Sequence, residues 1–389
     1  MTSYIVHTCL LLSLFATRSE SHLIKIALPT IPEQTVRGAR HIARRETEAC
    51  TNYVEVSINS LTIPTGFENI MAPWTNNNLN VKAYRSSTVS QGIDQILRLK
   101  VPGLGGSTVG DVFQHLKDNG PCWILPYGGV VRDIFLGRPP NDVDAEISCP
   151  ASHVRTLCLQ KWGSSNCQGT SDSSITYIGS QTAKVSTGDT QGIDLAPWDL
   201  MIRGSITSFE YTANSLAYDM SGNNVVLDFT STGVMDTCQK KIRIPSFTVN
   251  DWVTDKKVYR YWKLRVKGFS ADSSETANFI VTKAKDFISK DGQPFAKFYC
   301  SYVLMGTYST DGGTCSIADS SSVAANVKKY GQFFLEDMGS FWTETAQPIA
   351  NGIKQVPNSA LDFNTKVSMA SVFLALGLNS LAVFIVSYY

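Results

Sequence analysis

The stretch Gly128-Gly129-Val130-Val131-Arg132-Asp133-Ile134-Phe135-Leu136-Gly137-Arg138-Pro139-Pro140-Asn141-Asp142-Val143-Asp144 joins a double glycine to two aspartates one residue apart. Two glycines let a backbone approach a phosphate closely, because no Cβ stands in the way. Carboxylates at i and i+2 on a strand point to one face. They lie roughly 6–7 Å apart along it, within reach of two cations about 3.5–4 Å apart. One short segment therefore offers a cradle for phosphate and a clamp for divalent metal.

Working outward, apolar spacing from Val109 to Lys117 is helical, and Cys122 to Leu125 reads as a strand running into the glycines. Val131 to Leu136 reads as a helix, and Val143 to Ile147 as the strand that carries the aspartates. Further strands are predicted at Ala183–Ser186, Ile193–Ala196 and Val225–Phe229. Beyond Thr248 the period turns helical until about Ile353. Strands with interleaved helices, then helices, predict an α/β or α+β head with a mixed sheet on a mainly helical body. Residues 51–110 read as short strands and loops, and residues 22–50 as a polar, basic leader in which Arg44-Arg45 offers a processing site. No internal repeat is visible.

The ends and the cysteines bear on compartment. Cys9 to Ala16 is a short apolar core with small residues at Ser19 and Ser21, which reads as a signal peptide over residues 1–21. Val367 to Tyr389 is a charge-free hydrophobic end preceded by Asn358-Ser359-Ala360, the order of a glycosylphosphatidylinositol signal; a plain transmembrane anchor is the alternative. Without Cys9, eight cysteines remain, enough for four disulfides. No C-x-x-C pair argues for zinc. The 389-residue chain has a net charge of +1, so nothing global calls for a polyanionic partner. The expected location is the secretory pathway and the outer face of the plasma membrane.

The glycine–aspartate segment resembles the first motif of the tRNA nucleotidyltransferase/poly(A) polymerase head family. It keeps both glycines, Val131, Arg132, Asp133, Leu136, Gly137, Arg138, Asp142 and Asp144. A second block, Tyr211-Thr212-Ala213-Asn214-Ser215-Leu216-Ala217, resembles that family's Phe-Thr-Ile-Asn-Ala-Leu-Ala, and Gly222, Leu227-Asp228, Gly233, Asp236 and Lys241-Ile242-Arg243 follow in order. The resemblance covers about Val109 to Thr276. It implies a nucleotidyltransferase head in which Asp142 and Asp144 hold two Mg²⁺ ions. A nucleoside triphosphate and an RNA hydroxyl would be the substrates. It also implies that Gly128 and Gly129 face the triphosphate, that Arg132 and Arg138 contact phosphate or ribose with Asp133 orienting one of them, and that Asn214 and Arg260 belong to the nucleotide site. A third catalytic carboxylate is expected from a neighbouring strand, and Asp194 is the candidate; its plain alternative is a turn aspartate after Gly192.

There are departures. Ser208-Phe209-Glu210 stands where the family has two arginines and an aspartate, and Val253-Thr254-Asp255-Lys256-Lys257 alters the base-reading motif. Lys256, Arg260, Lys263 and Lys267 lie on one helical stripe which, with Lys257 and Arg265, makes either a phosphate-binding surface or a solvated face. Tyr259, Tyr261 and Trp262 stack on bases or, more commonly at such spacing, pack in a core. Cys149, just past the aspartate strand, is expected to pair with Cys158 or Cys167. The organisation read here is 1–21 signal, 22–108 extension, 109–248 head, 249–357 helical body and 358–389 anchor. Two functions compete: a nucleotidyltransferase, and a catalytically silent binder of nucleotide, RNA or protein on the same fold. A structural ectodomain without a ligand is a third.

Overall fold

Two short strands, β1 (Val54–Val56) and β2 (Lys82–Arg85), open the described part of the chain, followed by helices α1 (Ser87–Leu97) and α2 (Val109–Asp118). The computed structural model describes residues 50–62, 81–120, 122–138, 140, 142–170, 173–179, 192–197, 209–245, 254–317 and 321–357. The signal peptide, the leader, the strand expected at Ala183–Ser186 and the C-terminal anchor lie outside these residues. Helix α2 starts where its sequence says it should. Thr108 Oγ1 accepts from Asp111 N–H at 3.2 Å, and the Asp111 carboxylate accepts from Thr108 N–H at 2.8 Å. This reciprocal cap satisfies two N–H groups that the first turn leaves open. Helix α1 was missed within a region read as strands and loops, although Val89, Ile93 and Ile96 give it a buried stripe.

The metal-strand region follows: β3 (Ile124–Pro126), α3 (Gly129–Phe135), β4 (Val143–Ile147), α4 (Ala151–Trp162), β5 (Cys167–Thr170), β6 (Ser173–Ile178) and β7 (Ile193–Pro197). The five strands form one mixed sheet in the order β3-β4-β7-β6-β5, parallel at β4/β7 and antiparallel elsewhere. Val143, Ala145 and Ile147 enter the head core with Ile193 and Leu195, so the alternate residues of β4 and β7 take the other face.

Strands β8 (Leu216–Asp219) and β9 (Val225–Asp228) join β1 and β2 in a second, wholly antiparallel sheet, β1-β2-β9-β8. Residues ahead of position 109 thus share the head's sheet and core. Helix α5 (Gly233–Cys238) and strand β10 (Lys241–Ile242) lead to the body: α6 (Asp255–Arg265), β11 (Ser270–Ala271), α7 (Ser274–Lys290), α8 (Gln293–Tyr302), β12 (Gly306–Ser309), β13 (Thr314–Ile317), α9 (Val323–Met338), α10 (Gln347–Asn351) and β14 (Lys354–Pro357). The body is mainly helical, as expected, but β12, β13 and β14 form a small sheet that helical periodicity hid. Among the described residues no helix is long and apolar enough to cross a membrane.

An aromatic cluster holds the body together. Trp262 and Phe295 meet Phe334 with centroids 5.2 and 5.7 Å away, and Phe334 stacks on Trp342 at 4.6 Å. Tyr259, Tyr261 and Trp262 are each at most 2% exposed, so the core reading of these aromatics holds and they offer no stacking platform.

All eight cysteines outside the N-terminal segment pair: Cys50–Cys238, Cys122–Cys149, Cys158–Cys167 and Cys300–Cys315. The expected bond from Cys149 to Cys158 or Cys167 is wrong. Ile124 and Ile147 are register partners, and this places Cys122 and Cys149, just outside them, side by side. Cys158 and Cys167 pair instead across the α4–β5 connection.

Candidate functional site at the glycine corner

Gly128 turns the chain from β3 into α3 at φ +65° and ψ −120°, a region closed to residues with a Cβ. Two backbone bonds fix the turn: Tyr127 N–H donates to the Asp144 carbonyl at 3.0 Å, and Gly128 N–H to the Leu216 carbonyl at 2.7 Å. The corner is thereby bolted to the aspartate strand on one side and to β8 on the other. With the Gly128 N–H spent on Leu216, the N–H groups free to face a phosphate begin at Gly129. Gly128→Ala is expected to lower stability by about 1–2 kcal/mol through backbone strain alone. Chemical denaturation checks this, and a wild-type midpoint would contradict it.

Asp144 and Asp194 are register partners across the parallel pair β4/β7. Partners in a parallel pair share a face about 4.8 Å apart. Asp194 lies inside a strand and not in a turn after Gly192. Gly192 itself makes room for the Tyr177 ring, with which a Cβ there would collide. Asp142, one residue ahead of β4, is exposed and close enough for its charge to act on both partners. Burial raises the Asp144 carboxyl to about 7, with Asp142 and Asp194 adding to the rise and Lys263 and Arg260 opposing it. Burial and the Asp142 charge raise Asp194 to about 6. Among the described residues none of the three carboxylates has an ion-pair partner. Three hard oxygen donors without a salt-bridge partner among the described residues match the preferences of Mg²⁺.

The sequence offered one more carboxylate that was passed over. Glu146 continues the i+2 spacing from Asp142 and Asp144, is 2% exposed, and its Oε2 has no hydrogen-bond partner among the described residues. Burial pushes it well above the usual carboxylate range.

Behind the corner runs a chain of charged hydrogen bonds. Arg132, only 4% exposed, donates from Nε to Asp133 at 2.9 Å and from Nη1 to Asn214 Oδ1. Asn214 donates to Glu210 at 3.4 Å, and Glu210 pairs with Arg260. Lys267 pairs with Asp133 at 2.6 Å, and Arg138 donates to the Lys267 carbonyl at 2.8 Å. Burial opposes ionisation of Asp133, but Arg132 and Lys267 prevail and hold its pKa below the usual value. Burial, then the nearby Arg132 charge, lowers Lys267 to about 8 against the pull of Asp133. Asp133 therefore holds Arg132 and Lys267 together. Arg132 steadies the corner from beneath, its Nη2 lying 3.4 Å from where a Cβ on Gly129 would sit. Arg138 is turned toward the loop after α6.

This network also corrects the reading of α6 as a continuous basic surface. Arg260 and Lys267 are paired as above. Arg265 faces Glu336 and Asp337 on α9, each at 3.3 Å. Lys263 lies 4.6 Å from the Tyr302 ring centroid, on the side of α6 whose charge reaches Asp144. Glu210, the single acidic residue left from the altered motif, is what holds Arg260.

No family model matches the chain, and no curated protein matches it. Solved structures do. The Thermotoga maritima CCA-adding enzyme complexed with tRNA is 15% identical, with a TM-score of 0.37 over 56% of this chain and 48% of that one. A tRNA-processing enzyme with CTP is 16% identical, with a TM-score of 0.40 over 58% and 57%. A tRNA nucleotidyltransferase complexed with a primer tRNA and an incoming ATP analogue is 17% identical, with a TM-score of 0.39 over 59% and 62%. The chain spans about half to three-fifths of the length of these structures.

Proposed function

We propose that the crevice between β4, β7 and the glycine corner is the active site of a Mg²⁺-dependent nucleotidyltransferase. It would transfer a nucleotide from a nucleoside triphosphate to a hydroxyl acceptor, with RNA the first to test. The observation that carries this is the register pairing of Asp144 with Asp194, beside Asp142 and one hydrogen bond from the glycine corner. Asp142, Asp144 and Asp194 would hold the metal. When bound, Mg²⁺ offsets charge on the attacking and leaving oxygens of an in-line displacement.

The chain's own part is positioning. The Gly129 N–H, outside the bond that ties Gly128 to Leu216, faces the phosphates. Asp133 and Asn214 keep Arg132 beneath the corner. Lys263 supplies positive charge on the body side of the crevice. The acceptor oxygen attacks the α-phosphorus, its proton passes to solvent or a carboxylate, and pyrophosphate leaves. The deciding experiment supplies purified protein, Mg²⁺, labelled ATP or CTP and an RNA with a free 3′-hydroxyl. Label on the RNA supports the assignment; none with either nucleotide rejects catalysis.

A second reading is a silent nucleotide or RNA binder. The pairing of Arg260 with Glu210 favours it, because that pair occupies a guanidinium assigned to the nucleotide. Calorimetric binding of a Mg–nucleotide without turnover would establish it. For location we propose export, supported by the full pairing of eight cysteines, the pattern of an oxidising compartment. The lipid or transmembrane anchor remains part of that proposal.

A further inference from the structure

The end of the β3/β4 pair opposite the glycine corner gathers a second set of ligands. Cys122 stands two residues before β3, Cys149 two residues after β4, and their Cα atoms are 5.1 Å apart. His153, in the first turn of α4, points its ring at the same spot. Cys122 Sγ, Cys149 Sγ and a ring nitrogen of His153 all lie within 4.8 Å of one another. His153 Nε2 is buried and, among the described residues, has no hydrogen-bond partner. A Cβ on Gly120 would sit 2.6 Å from that nitrogen and 3.2 Å from Cys122 Sγ, so the absent side chain keeps the space open. A buried, unpaired imidazole nitrogen calls for an explanation, and the disulfide alone gives it none.

Two sulfurs and one imidazole are the donor set of zinc, not of magnesium. We propose that Cys122, Cys149 and His153 bind one zinc ion while the two cysteines are thiols, before the disulfide closes in an oxidising compartment or after a dithiol reopens it. A dithiol supplies two electrons and two protons, becomes a cyclic disulfide itself, and leaves two thiols. Zinc then displaces both thiol protons and takes the neutral His153 nitrogen as third ligand, with water in the fourth position. The ion pins the same two strand ends that the disulfide pins, so the aspartate strand β4 keeps its tether in either redox state. The Cys149-x-x-x-His153 spacing serves this because the helix begins between them. The proposal is independent of the nucleotidyltransferase reading.

The test uses the full chain and Co²⁺ as a spectroscopic stand-in for zinc, with a phosphine as reductant. Reduced wild type is expected to show thiolate-to-cobalt charge transfer and tetrahedral d–d bands at one equivalent, both lost on adding Zn²⁺. Oxidised wild type is expected to show neither. Cys122→Ser/Cys149→Ser should abolish the bands, and His153→Gln should weaken binding about tenfold or more. The melting temperature of oxidised His153→Gln should match oxidised wild type, which separates ligation from folding. Zinc should raise the melting temperature of reduced wild type but not of reduced His153→Gln. No cobalt spectrum in the reduced wild type overturns the proposal. So does an unchanged spectrum in His153→Gln, which would place the metal on other freed cysteines.

Discussion

Asp142→Asn/Asp144→Asn protein is expected to transfer nucleotide about a thousandfold more slowly than wild type, with its fold intact. A metal clamp that offsets charge on both reacting oxygens is worth several kcal/mol in the transition state, and each ~1.4 kcal/mol is a factor of ten in rate. Asparagine keeps shape and one acceptor oxygen but loses the charge that binds the ion. Loss of activity through unfolding can be told apart, because removing like charges from a half-buried cluster should leave stability unchanged or raise it at neutral pH. A single-turnover assay at saturating Mg²⁺ and nucleotide, paired with a thermal melt, reads both quantities. Equal rates in variant and wild type would remove Asp142 and Asp144 from the chemistry.

Without divalent metal, the protein is expected to lose stability as pH rises from about 4 to about 7, and to regain it when Mg²⁺ is added at neutral pH. Asp144 is raised to about 7 and Asp194 to about 6, both chiefly by burial, with Asp142 next. An unfolded aspartate titrates near 3.9. Between these values the folded state holds more protons than the unfolded state, so unfolding becomes easier as protons leave. Below about pH 4 both states are protonated at these positions and the penalty vanishes. The ion competes with the same protons, so metal affinity should climb through pH 6–7. Denaturation midpoints across this range, with chelator and with Mg²⁺, check the sign. Asp144→Asn should make the chelator curve shallower, with Asp194 and Glu146 keeping part of the slope, and a wild-type curve that rises over the interval would contradict the placement of the carboxylates.

Legibility from sequence followed distance along the chain. Helix α2, strand β4 and the glycine corner were readable because each rests on a local rule: an apolar helical spacing, an i+2 alternation, a backbone angle only glycine takes up. Helix α1 was missed because Ser87, Ser90 and Gly92 dilute its apolar stripe. Strands β12 and β13 were missed because glycine, serine and threonine give them no apolar alternation. The stripe on α6 was located, but its charges were counted without their partners. Glu210, Asp133 and Asp337 come from distant segments and neutralise most of it.

The sequence by itself set Asp142 and Asp144 two residues apart at the head of a strand, with a glycine turn before them, and supplied cysteines enough for four bonds. Only the tertiary structure decided that Asp194 stands beside Asp144, that Cys149 meets Cys122, and that His153 closes on both sulfurs. The physical reason is the reach of each constraint. Side-chain direction follows from the backbone repeat within a few residues. Which strands become neighbours is set by how Val143, Ala145, Ile147, Ile193 and Leu195 bury together, a collective choice that no short window of sequence contains.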